Sequence, residues 1–137
     1  MLEGYVLLPE IQHPDIRRIE TGPLMSQATI CNGMAFLSGQ IGAGAPHDSF
    51  DAECRAVMAR VDQLLSEIGS ARSALLHVTV HITDISMMPQ FNEVWRHWLD
   101  GMPLPARVAV QTPMVDPDFR VAMTCVASLV PQGARND

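Results

Sequence analysis

The chain has 137 residues, enough to bury one core, and we read it as a single domain spanning 1–137. Its formal net charge is −6, and all nine basic residues are arginines with only Arg17 and Arg18 adjacent, which argues against a nucleic-acid partner. Hydrophobic residues make up 47% and charged ones only 18%, with nine methionines, so part of the surface is expected to be covered by another subunit. Cys31, Cys54 and Cys125 show no Cys-x-x-Cys spacing and no nearby histidine cluster. They are read as reduced, mostly buried thiols of a cytoplasmic protein without a metal site or cofactor. No apolar run approaches the ~18 residues of a membrane span, and no basic segment leads into an apolar one at the start.

Residues 1–14, closed by Pro9 and Pro14, read as an irregular arm, and 16–20 as a short strand. Residues 28–38 form a hairpin pattern, in which Asn32-Gly33 supplies the positive φ angles of a two-residue turn. Asp48 and Ser49 are candidate N-caps of a helix, with Asp51 and Glu53 in its first turn. Phe50, Cys54, Val57, Met58, Val61, Leu64, Leu65 and Ile68 recur at steps of three and four, one apolar stripe of that helix, which Gly69 ends. Leu76, Val78, Val80 and Ile82 alternate with His77, Thr79, His81 and Thr83, a strand with one covered face. A second helix is predicted over 88–99, with Phe91, Val94, Trp95, Trp98 and Leu99 on one side and Gly101 beyond its end. Two strands come next, 106–112 and 119–130.

The order β-ββ-α-β-α-ββ gives an α+β two-layer sandwich, a sheet with both helices on one face. Its other face is expected to carry Arg107, Ala109, Thr124, Ser128, Thr79 and His81, a composition that suits an oligomer interface with a wet cleft. If the last two strands pair as a hairpin about Val115-Asp116, Arg107 stands opposite Thr124 on the same face.

Arg107 is a fixed cation among small and β-branched residues, and its five-donor fork suits a carboxylate held bidentately. The alternative is an arginine in a structural ion pair or at an oligomer seam.

The chain resembles the RidA (YjgF) family of small imine/enamine deaminases. The resemblance rests on Gly22-Pro23, Ser26-Gln27-Ala28, Phe36-Leu37-Ser38-Gly39-Gln40-Ile41, Asn92 and above all Pro105-Ala106-Arg107, and it spans residues 16–130. It implies a chorismate-mutase-like fold with a mixed sheet of about six strands, assembled as a trimer with sites in clefts between subunits. The implied reaction is hydrolysis of 2-imino or 2-amino-enoic acids to 2-oxo acids and ammonia, with Arg107 gripping the substrate carboxylate. Backbone near the Ser-Gly-Gln segment and the arginine strand, including Gly39 and Ala109, would line the rest of the pocket.

Two departures from the family pattern matter. Members usually read Gly-Pro-Tyr-Ser-Gln-Ala, whereas here Gly22-Pro23-Leu24-Met25-Ser26-Gln27-Ala28 has one residue more and no tyrosine. The family's water-positioning glutamate on the last strand falls at Thr124, with Ala122 two residues earlier. Thr124 can hydrogen-bond a water without taking its proton near neutral pH. As a catalytic residue it is a candidate, the alternative being a β-favouring residue that fills the face, beside Ser38, whose hydroxyl either contributes to the site or satisfies a strand end. Gly42 and Gly44 are read as a flexible loop, and Asn92 and Trp95 as anchors of the second helix. Glu93, Asp116 and Asp118 are read as solvated charges. His77 and His81 lie about 13 Å apart along a strand, too far to share a metal; His81 is read first as a hydrogen-bonded interface residue, with reaching the cleft as the alternative. Three functions compete. The first is a trimeric RidA-like imine hydrolase, the second a catalytically silent small-carboxylate binder or regulator, and the third, which the acidic charge disfavours, an endoribonuclease.

Overall fold

The computed structural model describes residues 15–44 and 49–130. The predicted arm over 1–14 and the candidate cap Asp48 lie outside those residues. Strands β1 (Arg17–Thr21), β2 (Ser26–Cys31) and β3 (Met34–Ile41) lead into helix α1 (Phe50–Ile68). Then come β4 (Leu75–Ile82), helix α2 (Met88–Trp98), β5 (Ala106–Gln111) and β6 (Val121–Ser128). One six-stranded sheet has the order β1-β2-β3-β6-β4-β5. Only β4 and β5 pair in parallel, so the expected mixed sheet is present.

Local chemistry sets these elements where the residues predict. Asn32 and Gly33 take φ angles of 54° and 76°, as a tight hairpin turn between β2 and β3 requires. Ser49 caps α1, accepting from the backbone N–H of Ala52 at 3.1 Å, and Gly69 closes it at φ 83°. The full apolar stripe of α1 is buried against the sheet. The extra residue in the Gly22–Ala28 segment sits at the β1–β2 hairpin, where Gly22 N–H donates to Met25 C=O at 2.8 Å. Leu24, 94% exposed, points into solvent there.

The expected β5–β6 hairpin is absent. Strand β5 instead lies parallel to β4, connected through α2 as a βαβ unit, and β6 inserts between β3 and β4. Burial explains the choice. Val121, Met123, Cys125 and Ala127 are all at 0–1% exposure, so β6 needs cover on both edges and takes the centre. Strand β5, mostly exposed, takes the sheet edge.

Side-chain direction is set by this register. Arg107 pairs with Val78 and Ala109 with Val80, and both valines are fully buried beneath the helices. Arg107 and Ala109 therefore stand on the helix-covered face, not on the outer face where the hairpin would have put them. Thr124 pairs with Thr79, and with Ser128 and His81 it does face outward. A pairing irregularity between Leu75 and His77 also shifts the start of β4. Leu75 is buried there in place of the expected Leu76, which is 44% exposed.

Gly42 is more than loop. A Cβ there would come within 2.8 Å of Glu53 C=O and 2.9 Å of Ala56 Cβ, so glycine lets the end of β3 touch α1. Glu53 stands in the first turn of α1 as expected and is 2% exposed. Its carboxylate accepts from Arg120 N–H at 2.7 Å, Arg120 Nε at 2.9 Å and Val121 N–H at 3.2 Å, which fastens the start of β6 to α1. Arg120 also lies over the Phe50 ring at 5.5 Å.

Candidate functional site

Arg107 leaves edge strand β5 toward α2. Its Nη1 donates to Asn92 Oδ1 at 2.9 Å, and its guanidinium lies over the Trp95 ring, 4.9 Å from the centroid. Asn92 and Trp95 are three apart on one helix face, so both reach the same strand residue. They hold the fork as well as anchoring the helix. Trp95 packs in turn against Phe91 and Trp98, with centroid distances of 6.0 and 5.8 Å. Partial burial lowers the arginine's pKa from its ordinary value, yet a guanidinium stays charged at neutral pH. Among the described residues no carboxylate pairs with it. The remaining donors face a groove of about 550 Å³ lined by Asn92, Trp95, Leu99, Met102 and Leu104. Glu93, the residue after Asn92, pairs with Arg96 rather than with Arg107.

Thr124 and Gly39 meet elsewhere. The β3–β6 pairing shifts between Leu37 and Gln40, leaving Ser38 and Gly39 in a bulge. A Cβ at Gly39 would stand 3.5 Å from Thr124 Oγ1, an ordinary contact. His81 Nε2 is 3.0 Å from the same oxygen. Thr124, Gly39 and His81 thus form one cluster centred on the threonine hydroxyl. The expected juxtaposition of Arg107 and Thr124 does not occur: strand β4 separates them and they project from opposite faces. Ala109 packs against the core instead of lining the arginine groove.

Ser38 joins neither cluster. Its hydroxyl donates to Gln27 Oε1 at 3.3 Å and accepts from Gln40 Nε2 at 3.0 Å. Gln40, 3% exposed, also donates to Gln27 Oε1, while its own Oε1 accepts from Arg60 Nε at 3.2 Å. Arg60 continues to Glu20 at 2.8 Å. That hydrogen bond, reinforced by one from Glu67, holds Glu20 below its ordinary carboxylate value, whereas its bond to Glu20 raises Glu67. The network lines a cavity of about 640 Å³ beside Met25 and Gly39. The sequence reading missed the buried Gln40 and Glu53. The latter was visible as the one acid on the apolar stripe of α1, three residues after Phe50. A further groove of about 470 Å³ between α1 and α2 includes none of the motif residues.

Among the described residues no three of His, Cys, Asp and Glu are grouped to hold a metal ion, and no helix is long and apolar enough to cross a membrane. Cys54 and Cys125 are buried thiols, and Cys31 is half-exposed.

Comparison with known proteins agrees with the fold. The family described as Endoribonuclease L-PSP matches residues 16–129. A RutC family protein of Haemophilus influenzae is 27% identical over 113 residues, covering 82% of this chain and 97% of that one. Another RutC family protein, from Aquifex aeolicus, is 35% identical over 97 residues, or 67% of this chain and 77% of the relative. A crystal structure of a YjgF family member from Neisseria meningitidis superposes with a TM-score of 0.80 at 30% identity, over 88% of this chain and 99% of that one. With the six-stranded sheet and the two helices on one face, the chain belongs to the Endoribonuclease L-PSP family, the YjgF (RidA) family of its solved relatives.

Proposed function

We propose that the protein binds a small 2-imino or 2-oxo carboxylic acid at Arg107 and hydrolyses the imine to a 2-oxo acid and ammonia. The observation that carries this is the guanidinium itself. It is oriented by Asn92 and Trp95, lacks a carboxylate partner among the described residues, and opens on a groove. A planar fork pre-set in this way offers two parallel donors to a substrate carboxylate.

In one chain the Thr124 cluster faces away from Arg107, so a site using both halves needs two copies. The outer sheet face suits such contact, with exposed Met34, Phe36, Val108 and Val110 around its polar centre. The assembly implied by the family resemblance is a trimer. A second reading, a silent carboxylate binder, draws on Thr124 standing where a water-positioning glutamate is expected. An endoribonuclease has less support from a chain of net charge −6 without a lysine.

The test is release of ammonia and 2-oxo acid from a panel of oxidase-generated imino acids, run beside light scattering. Turnover by a trimer is expected. Carboxylate binding without turnover would select the silent binder, and a concentration-independent monomer would remove the shared site.

A further inference from the structure

Imine hydrolysis needs a group that takes a proton from the attacking water, and Thr124 cannot serve as one. Its hydroxyl is engaged by a side chain that can. His81 Nε2 lies 3.0 Å from Thr124 Oγ1. The two sit on neighbouring antiparallel strands, where Thr79 pairs with Thr124 and His81 with Ala122, so the contact is a diagonal one across the ladder. Both face away from the helices, because Val80, Ile82, Met123 and Cys125 fill the core between them.

The surroundings are small and largely apolar. His81 is flanked by Ala122 on β6 and Val110 on β5, and Gly39 leaves only backbone on the third side of the hydroxyl. On the outward positions of β4, β5 and β6 the other titratable group is His77, four residues away along β4. No carboxylate or guanidinium from these strands faces the imidazole.

We propose that His81 is the general base of this site and that Thr124 holds the water it deprotonates, an inference that rests on the imine-hydrolase reading above. With Nδ1 protonated, neutral Nε2 is the acceptor. It takes the Thr124 hydroxyl proton as Oγ1 takes one proton of the water it holds and the water oxygen bonds to the carbon of the substrate iminium, which leaves the threonine neutral. The C=N π pair moves to nitrogen and gives a neutral carbinolamine. The imidazolium then protonates that nitrogen, the C–N bond breaks, and ammonia leaves as the remaining hydroxyl becomes the carbonyl. The hydroxyl's proton ends on ammonia, so iminium plus water gives 2-oxo acid plus ammonium, and the imidazole is neutral again. An imidazole thereby supplies a proton acceptor that the threonine hydroxyl alone does not.

The experiment compares the full-length parent with His81→Gln, Thr124→Val and His77→Gln in a semicarbazide competition assay from pH 5 to 9, using an imino acid generated by an amino-acid oxidase. Glutamine keeps a hydrogen-bonding group near Nε2 but cannot accept the proton. His81→Gln should lower kcat about 100-fold, the low end for loss of a general base, with KM within about twofold. It should also abolish the rise of rate with pH. Thr124→Val should lose about tenfold and keep that rise, and His77→Gln should match the parent. Should His81→Gln not fold, as read by circular dichroism, NMR titration of the parent's histidines replaces it, and the His81 midpoint should coincide with the kinetic one. A His81→Gln rate within twofold of the parent with the same pH profile, or a noncoincident midpoint, overturns the assignment and leaves imine hydrolysis standing. A parent that binds 2-oxo acids without turning over any imine overturns both.

Discussion

Replacing Arg107 by lysine isolates what the guanidinium contributes as a fork rather than as a charge. In the folded chain one terminal nitrogen is committed to Asn92 at 2.9 Å and the planar group is stacked at 4.9 Å on Trp95, so the remaining donors are held in a fixed plane. A carboxylate in the groove can then accept two parallel charge-assisted bonds. Lysine retains the positive charge but neither the second parallel donor nor the stacking geometry. Loss of one hydrogen bond to a charged group costs about 1.5–3 kcal/mol. That corresponds to a roughly 10- to 150-fold rise in Kd for pyruvate or another small 2-oxo acid, measured by calorimetric titration. Because Arg107 is exposed at the sheet edge, stability should change by no more than about 0.5 kcal/mol, checked by thermal melting. Equal affinities of parent and Arg107→Lys, with both folded, would refute the carboxylate-fork argument and make the arginine a structural residue.

Glu53→Ala should destabilise by about 3–5 kcal/mol in urea denaturation, because it leaves Arg120 and two backbone N–H groups of the β6 entry without their acceptor; Glu53→Gln should cost less. Burial pushes the Cys54 and Cys125 thiols up from 9.0 to about 12. The unfolded thiols ionise first, so their contribution to stability is complete below about pH 9 and declines as pH rises toward 12, seen as a falling urea midpoint in the parent that Cys125→Ala reduces. Phe36→Glu places a charge on the exposed outer sheet face and should leave the chain a folded monomer in light scattering, where the proposed trimer is the expected result for the parent.

The elements governed by local rules were legible in the residues: the Asn32-Gly33 turn, the Ser49-to-Gly69 frame of α1, and the apolar side of α2. Long-range pairing was not. Alternation along 119–130 identifies a strand but not its neighbours, and adjacency in sequence favours a hairpin that burial overrules. A strand whose inward residues are all at 0–1% exposure belongs at the centre, and that criterion needs the whole sheet. The same slip of partner moved Arg107 and Ala109 to the other face, because a register fixes side-chain direction as well as contact. For the site, the residue types of the Arg107 half were readable, and Asn92 was singled out without its role. The His81–Thr124 contact was hidden because its members lie 43 residues apart and meet only when β6 docks beside β4.

The place of β6 has a consequence for how the molecule is made. The last strand among the described residues completes the middle of the sheet, so during synthesis the preceding residues can form a β1-β2-β3-α1 half and a β4-α2-β5 half that do not touch through strands. Until β6 emerges, β3 and β4 each present an open row of backbone donors and acceptors. Closing them requires contacts of high sequence separation, such as Ala35 with Ala127, so the slowest step of folding waits for β6. A chain interrupted after β5 thus carries two half-sheets with unsatisfied edges, ready to pair with each other or with another nascent chain.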